Sequence, residues 1–576
     1  MRQSNAGQGL KVTHCRIDAI TVVWGLKEQK NCLFFPALPF GLRIDHPLTR
    51  KVLAMPRPRN ARPSRSRRKG FVLQKASGQL VPRVQQVGPE HFGIVAIDCA
   101  KARSRYFLAD FYGRMLLEPT TLPHSRGDFQ AAIDRLRQAA LQHDLKDVVI
   151  AIERTGEYHR PVQLAFRQAG YETRLVHPFT TKQYRQPADP GNKTDDTDLA
   201  AIFRAATQGF GLAEPAWPDD YLTIQLLRRH RRDLVDKNAI LQCQIRELLH
   251  AAMPGYAECF CHFWDDSPAP MIFARHTTSP EAVRQAGLAG LQQIAAQAQL
   301  RCRRDTLHKI LAWAEQAPPG HAHALHLRRI LSTLDDDRLA KTQQILGLER
   351  SLAPLVVRTP YVLLLAIPGV NIVTVADLAG ELGPIHLYVN ANAITGRAAL
   401  MPSRYQSDQV DYANGPLRRR GNRRLRAVLM QTANNLVQSN HYFAARAERW
   451  SRTGKDPRWI RVKVAKSFSR LAFAMVAGRQ LFPHPCRQPH HYVLGKLLEF
   501  HSEHGTEPEA MRRDLEAVVE QLPGRSRAAE ARPLQQQLDQ LAHRRGPQPL
   551  AQILPLVLAR LAGRMVQSTP HESAGP

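Results

Sequence analysis

The chain has 576 residues and carries 80 Lys and Arg against 50 Asp and Glu, a formal net charge of +30 at pH 7. This length allows several domains, and the charge favours a polyanionic partner such as DNA, RNA or an anionic membrane. The sequence has no apolar run of about 18 residues and no clear signal-peptide core, which argues against membrane and secreted proteins. Eight scattered cysteines do not make a disulfide framework, so we expect a cytoplasmic, nucleoid-associated protein with reduced thiols.

Residues 1–90 are predicted to form a basic, disordered extension. Pro, Arg and Ser dominate the segment 56–69, which has too few apolar residues for a packed core. The extension is either a nucleic-acid-binding arm or the product of an upstream start codon.

From residue 91 the sequence changes to short apolar runs separated by turns and amphipathic stretches. The strands are predicted at 91–98, 104–111, 114–118, 146–152 and 171–177, and the helices at 127–142, 159–169 and 194–207. Three antiparallel strands followed by alternating strands and helices is the order of an RNase H-like fold. We therefore predict an α/β, RuvC-like nuclease domain over 91–210.

Four acids are placed where such a domain needs them. Asp98 and Glu153 each end an apolar run, while Asp195 and Asp198 share one face of the helix that follows Lys193. Carboxylate oxygens suit Mg²⁺ or Mn²⁺, and two such ions activate a water or hydroxyl in phosphodiester chemistry. The pattern predicts a metal-dependent nuclease site, with Lys193 beside it as a nucleic-acid-binding residue.

The segment 211–352 is predicted to form two coiled-coil arms with an inserted segment at 254–320. Leucines at 227, 234, 241 and 248 repeat every seven residues, and the polar Asn238 occupies an a-like position. A second run over 327–352 alternates in the same way. A helical hairpin within one chain and an intermolecular coiled coil both fit this pattern. Within the insertion, Cys259-Phe-Cys261-His262 lacks the spacing of a zinc site.

Residues 353–485 are predicted to form a helical domain, followed by a polar helical tail at 486–576 whose role is unassigned. Ala366-Ile-Pro-Gly-Val370 resembles a helix–hairpin–helix turn, whose backbone NH groups meet a DNA phosphate. Farther on, arginines cluster without interleaved acids, which favours a phosphate-binding patch. These arginines are Arg418, Arg419, Arg420, Arg423, Arg424 and Arg426.

The motifs occur together in an order that resembles the DEDD transposases of bacterial insertion sequences, the IS one-ten group, which includes the Piv-type DNA invertases. The resemblance spans roughly 91–252 and 358–485. Its motifs are Ile97-Asp98-Cys-Ala-Lys101, Glu153-Arg-Thr-Gly-Glu-Tyr158, Asn192-Lys-Thr-Asp195-Asp-Thr-Asp198, Ile367-Pro-Gly369, Leu400-Met-Pro-Ser-Arg-Tyr-Gln-Ser407 and Gly421-Asn-Arg-Arg-Leu-Arg426.

The resemblance implies a bridge-RNA-guided serine recombinase acting on donor and target DNA. Ser407 would take a DNA phosphate covalently, while the four acids hold magnesium. Activation of the serine would come from the acidic domain of the same or another subunit, so a homodimer or homotetramer is expected. A noncoding guide RNA would select sequence by base pairing.

Two departures from the family pattern are Asp408, where the family has Gly after the serine, and Ala399, where it has Gly in Ala-Gly-Leu. An acid at 408 would either hinder phosphate approach or reshape the turn, and Ala399 removes a flexible position. Two other functions stay open: a Holliday-junction resolvase-like endonuclease using the acids alone, and an inactive nucleic-acid-binding remnant. A transposase and an invertase differ only in their DNA sites.

Overall fold

The computed structural model describes residues 79–523, except 186–192, 216, 262, 265–266, 408–409, 413–414, 420 and 483–488. For residues 406, 407, 410–412 and 491 it describes the backbone alone. The described chain divides into two compact units, one ending at residue 216 and one beginning at Trp217. Within these ranges no helix is both long enough and apolar enough to cross a membrane.

The first unit is a six-stranded mixed sheet with helices on both faces. Its strands are β1 (Phe92–Cys99), β2 (Arg103–Asp110), β3 (Met115–Pro123), β4 (Asp147–Glu153), β5 (Glu172–Val176) and β6 (Leu212–Ala213), in the spatial order β3-β2-β1-β4-β5-β6. Its helices are α1 (Val81–Val87), α2 (Arg126–Gln142), α3 (His159–Gln168), α4 (Pro178–Arg185) and α5 (Asp195–Thr207). The α/β class predicted from the sequence is confirmed.

Both faces of β1 are buried because its side chains alternate between two cores. Val95 and Ile97 pack with α2 and α3, while Ile94 and Ala96 pack with α1 and α5. β1 runs antiparallel to β2 and parallel to β4, which in turn runs parallel to β5. A strand that is buried on both faces has a continuous apolar sequence, as residues 92–97 do.

Helix α1 corrects the predicted limit of the basic extension, which we placed at residue 90. Leu80 is fully buried and Val84 nearly so, both against the sheet. Arg83 pairs with Asp147 at 2.8 Å and also with Glu172, at the start of β4 and β5. Residues 80–90 are therefore part of the folded unit, and the rest of the predicted extension, 1–78, lies outside the described residues.

In its described residues the second unit is mainly helical and has one small hairpin. Its two long helices are α6 (Asp219–Ala252) and α10 (Ala324–Val356). Between them in the sequence lie three shorter helices, α7 (Ala269–His276), α8 (Pro280–Gln297) and α9 (Arg304–Gln316). The remainder consists of a 3₁₀ helix (Pro360–Ala366), α11 (Ile372–Leu382), α12 (Ala391–Arg397), the strands β7 (Tyr405–Ser407) and β8 (Val410–Tyr412), α13 (Arg423–Ser439), α14 (His441–Arg452), α15 (Pro457–Ala477), α16 (Pro489–Glu503) and α17 (Pro508–Gln521).

The two predicted arms, α6 and α10, pack along each other within the chain. Arg231 of α6 is buried and donates to Glu349 of α10 at 2.6 Å. Asn238 faces Thr342 of α10 at 3.4 Å, so the polar positions in the heptad pattern are used to pair these helices. The C-terminal end of α6, the N-terminal end of α10 and helices α7–α9 share an apolar core that is separate from the main helical core.

Part of the predicted tail belongs to the main helical core. Val493, Leu494, Leu497 and Leu498 of α16 are buried, at the spacing that places them on one helical face. Helix α17 adds four further buried apolar side chains, Met511, Leu515, Val518 and Val519. The helical domain therefore extends beyond the predicted boundary at 485, to about residue 522, and residues 524–576 lie outside the described part.

Candidate functional site

The sheet places Asp98 and Glu153 at the carboxyl ends of its two central strands. β1 and β4 are parallel neighbours with Ile97 paired to Ile152, so the next residue of each strand lies at the same edge. Both acidic side chains are half-buried. The Thr155 hydroxyl donates to Oε1 of Glu153 at 3.0 Å, which fixes one of its two oxygens.

Asp195 and Asp198 lie in the first turn of α5. The side chain of Thr194 accepts from the backbone NH of Thr197 at 3.2 Å, and the Thr197 hydroxyl accepts from the NH of Thr194 at 2.9 Å. This reciprocal capping fixes where the helix begins. Asp195 is exposed and Asp198 is buried. The helix N-terminus favours negative charge and therefore stabilises both carboxylates.

Asp98 is under the electrostatic influence of the other three acids. Its pKa is raised from 3.8 to about 6, first by burial and then by the negative charges of Glu153, Asp198 and Asp195. Lys193 acts in the opposite direction. Because each of the other three acids contributes, all of them lie within electrostatic reach of Asp98, where a bound cation would relieve their repulsion.

Two cations contact the buried Asp198. Arg185, the last residue of α4, pairs with Oδ1, and the Lys193 ammonium lies 4.0 Å from Oδ2. Among the described residues, however, Oδ1 has no partner in hydrogen-bonding geometry. No sequence motif marks Arg185, which ends a helix that the apolar pattern does not predict.

The donor set suits a hard divalent cation, since it consists of carboxylates, one of which has a buried oxygen without a hydrogen bond. Across the described ranges, no three His, Cys, Asp or Glu side chains stand close enough together to hold a metal ion. Metal binding therefore requires these acids to rotate toward one another and Arg185 to give up its contact with Asp198.

The serine motif forms the hairpin of β7 and β8. Ser407 pairs with Val410 across the hairpin, so it lies beside the turn. The Ser407 side chain and Asp408 lie outside the described part. Ser403 lies at the base, where its hydroxyl and its backbone NH both donate to the carbonyl of Pro416, at 2.9 and 2.8 Å. The motif's two serines thus occupy opposite ends of the hairpin.

The arginine cluster divides into exposed and structural members. Arg418, Arg419, Arg423 and Arg424 are exposed. Arg426 instead donates to the carbonyls of Ala398 and Arg418, at 2.8 and 2.7 Å, and so holds the loop onto α13. Arg420 lies outside the described residues.

Gly421 and Asn422, which precede α13, occupy positions that restrict which side chain can be present. A Cβ on Gly421 would lie 2.5 Å from Cβ of Ala399, so no side chain fits there. Asn422 caps α13 by accepting from the NH of Leu425 at 3.0 Å, and its Nδ2 donates to the buried Glu381 at 2.6 Å. The motif therefore ties the arginine cluster to α11.

Ala399 adopts a left-handed conformation with φ of +50° at the position where the family has Gly. We expect Ala399→Gly to change the free energy of unfolding by less than about 0.5 kcal/mol, since relief of strain offsets the lost methyl and the freer unfolded chain. Ala398→Gly, at φ of −75°, should instead destabilise by about 1–2 kcal/mol. Denaturant unfolding of both variants measures the difference, and equal losses would contradict strain at Ala399.

The chain matches known families in two segments. Residues 95–254 match a DEDD family described as Transposase, and residues 361–448 match one described as Transposase IS116/IS110/IS902 family. No curated protein is similar enough to count as a match. The first match contains all four acids and the second contains the serine hairpin and the arginine cluster. These two segments are therefore similar to DEDD transposases of the IS110 type, and the matches support a DNA transposase/recombinase enzyme.

Proposed function

We propose that this protein is an RNA-guided, serine-dependent recombinase that moves its own insertion sequence. The observation that carries the proposal is the placement of Asp98 and Glu153 at one edge of the sheet, on neighbouring parallel strands, with the helix that begins at Asp195 packed against both strands. A group of mutually repelling carboxylates destabilises a fold and is typical of a functional site. Its occurrence within a transposase match assigns it to DNA chemistry.

The sheet unit is assigned the RNase H-like, RuvC-like fold. The strand order β3-β2-β1-β4-β5-β6, with the first three strands antiparallel and β4 and β5 parallel to β1, supports the assignment. In this arrangement, acids at the ends of β1 and β4 lie next to a late helix. The first turn of α5 supplies Asp195 and Asp198 in that place.

Asp98, Glu153, Asp195 and Asp198 would hold magnesium or manganese. When bound, such ions lower the pKa of a hydroxyl nucleophile and stabilise charge on the leaving oxygen. Arg185 pairs with Asp198, and a bound cation would take the place of this contact. Lys193 is exposed beside the same acid and is suited to contact a DNA phosphate.

Ser407 is assigned as the nucleophile. Its Oγ forms a bond to phosphorus, one bridging P–O bond breaks, and the serine proton ends on the departing oxygen. A serine hydroxyl is a weak nucleophile until a base or a cation activates it. The acidic unit of the same or another subunit supplies that activation, so the active site is composite and the protein acts as a homodimer or homotetramer. The paired helices α6 and α10 are candidates for coiled-coil arms in this assembly.

Partner recognition is assigned to base pairing with a noncoding RNA, while the protein holds phosphate backbones. The exposed Arg418, Arg419, Arg423 and Arg424 are suited to that role, because guanidinium groups bind phosphate oxygens without reading sequence. Arg426 is used internally and supports the cluster.

Ser407→Ala tests the proposal. The protein is mixed with the noncoding guide RNA, magnesium and nicked donor DNA. We expect the yield of covalent protein–DNA adduct to fall at least about 1,000-fold, as for the loss of a nucleophile. The adduct is measured as a band on a denaturing gel. Ser403→Ala is the matched control: it loses one hydrogen bond at the base of the hairpin and should keep the band.

DNA cleavage without any covalent band, unchanged by Ser407→Ala, would replace the proposal by a resolvase-like endonuclease that uses the acids alone. Nucleic-acid binding without cleavage under any of these conditions would identify an inactive remnant.

A further inference from the structure

Residues 446–470 form a basic surface separate from the arginine cluster. They contain nine Lys and Arg against two acids, on α14, α15 and the turn between them. Almost all of this segment lies beyond residue 448, where the family match ends. We call it the tryptophan–lysine patch. Its members are Arg446, Arg449, Trp450, Arg452, Lys455, Arg458, Trp459, Arg461, Lys463, Lys466 and Arg470.

The patch rests on a rigid base. Ile460, Val464 and Phe468 of α15 are buried in the main helical core. The two tryptophans meet at an angle of 87° with their ring centres 5.9 Å apart. These contacts fix the two helices against each other, so the patch is a preformed surface.

Cations cover the rings of the tryptophans. Lys463 lies 4.7 Å and Lys455 5.7 Å from the ring centre of Trp459, and Arg446 lies 5.3 Å from that of Trp450. Arg446 also donates from Nη1 to the hydroxyl of Ser467 at 3.0 Å, across the two helices. Cation–π contacts orient these charged groups while leaving the exposed lysines able to contact an anion.

The acids of this segment are already in use. Asp456 caps α15 by accepting from the NH groups of Arg458 and Trp459, at 2.7 and 3.3 Å. Glu448 pairs with Arg452 at 2.5 Å. Six other exposed cations of the patch have no carboxylate partner within the described part of the chain; they are Arg449, Lys455, Arg458, Arg461, Lys463 and Arg470.

The cations are also close enough to repel one another. Burial lowers the pKa of Lys466 most, and the charges of Lys463 and Arg470 lower it further. Trp459, Lys463, Lys466 and Arg470 follow the 4-3-4 spacing of one helical stripe. Like charges in one stripe destabilise a helix. A bound polyanion that spans the stripe would offset this repulsion.

We infer that the tryptophan–lysine patch binds the phosphodiester backbone of a nucleic acid, independently of its sequence. Lysines act as point charges toward phosphate, and the ring faces needed to stack bases are already covered by cations. The inference rests on the proposed function, in which the protein holds both DNA and RNA, and it adds a second contact surface to the arginine cluster.

The test compares two triple variants of the full-length protein. Arg461→Gln/Lys463→Gln/Arg470→Gln removes three patch charges, and Arg303→Gln/Arg304→Gln/Lys309→Gln removes three exposed charges at and on α9. The probes are random-sequence DNA duplex, single-stranded DNA and an RNA hairpin, and binding is measured from about 0.05 to 0.3 M salt. Each lost phosphate contact lowers the slope of log K against log salt by about 0.9 for duplex or 0.7 for single strands.

We expect the patch variant to lose about 2–3 units of salt slope and on the order of 10- to 100-fold in affinity near 0.1 M salt, with the control close to wild type. Loss on duplex alone assigns the patch to DNA, loss on the hairpin alone assigns it to RNA, and either result supports a backbone site. Equal behaviour of both triples, with unchanged thermal unfolding, would overturn it. The covalent protein–DNA band of the wild type is a separate readout. Absence of that band would contradict the proposed function, whereas unchanged binding by the patch variant would contradict only the role of the patch.

Discussion

Asp98→Asn is expected to abolish strand transfer and, at the same time, to stabilise the sheet unit. The substitution removes a carboxylate whose pKa is raised from 3.8 to about 6, first by burial and then by repulsion from the other three acids. A rise of two pKa units corresponds to a loss of about 3 kcal/mol in the free energy of unfolding at pH 8. Partial exposure of the side chain reduces this loss to about 1–2 kcal/mol. Because Asp98 is one of the proposed metal ligands, its loss should reduce adduct formation by orders of magnitude.

The pH dependence of this stabilisation has a definite sign. An acid with a raised pKa binds its proton more tightly in the folded state, so the folded protein loses stability as pH rises from about 4 to about 6. Asparagine does not titrate. The advantage of Asp98→Asn over wild type should therefore be small near pH 4 and reach its full size above about pH 7.

The unit that contains Asp98 has no tryptophan between residues 79 and 215, so fluorescence does not report its unfolding. Hydrogen exchange of peptides from β1 and β4, in EDTA, measures the opening free energy instead. Asp147→Asn is the matched control, because Asp147 pairs with Arg83 at 2.8 Å and its loss should destabilise. A destabilised Asp98→Asn would show that the four acids do not repel one another in the folded protein.

The sequence was most informative where strands are buried on both faces. Seven of the eight elements predicted between 91 and 207 begin and end close to their predicted positions, because continuous apolar runs such as 92–97 admit few alternatives. β3 continues to Pro123, past the predicted end at 118, and only its Leu122 is buried. α4 and β6 were missed because α4 is polar and β6 has two residues.

Positions of single side chains were less predictable. Strand ends and a capped helix located the four acids, but the partner of Asp198 is Arg185, which no pattern marks. In the helical unit, the cluster of arginines suggested a uniform phosphate-binding patch. Arg426 instead bonds to two backbone carbonyls. Such contacts depend on which loops fold together, and sequence spacing does not show this.

Glu381→Ala is expected to destabilise the helical unit by about 3–5 kcal/mol, the usual effect of leaving a buried charge unpaired. Glu381 is completely buried and accepts from Arg228 at 2.6 Å, Arg229 at 3.3 Å and Asn422 at 2.6 Å. Its removal leaves Arg228, which is 3% exposed, with Asp377 at 3.1 Å as its remaining acid. It also removes the bond that ties the cap of α13 to α11.

Glu448→Ala is the matched control, because it breaks another Glu–Arg pair in the same unit, with Arg452, whose side chains are 61% and 77% exposed. That loss should stay within about 1 kcal/mol, since solvent screens exposed pairs. Denaturant unfolding followed by tryptophan fluorescence measures both variants, because Trp217, Trp450 and Trp459 belong to this unit. Similar small losses would show that water or Asp377 compensates Arg228, and that the contacts of Glu381 add little to the packing of α6 on α11.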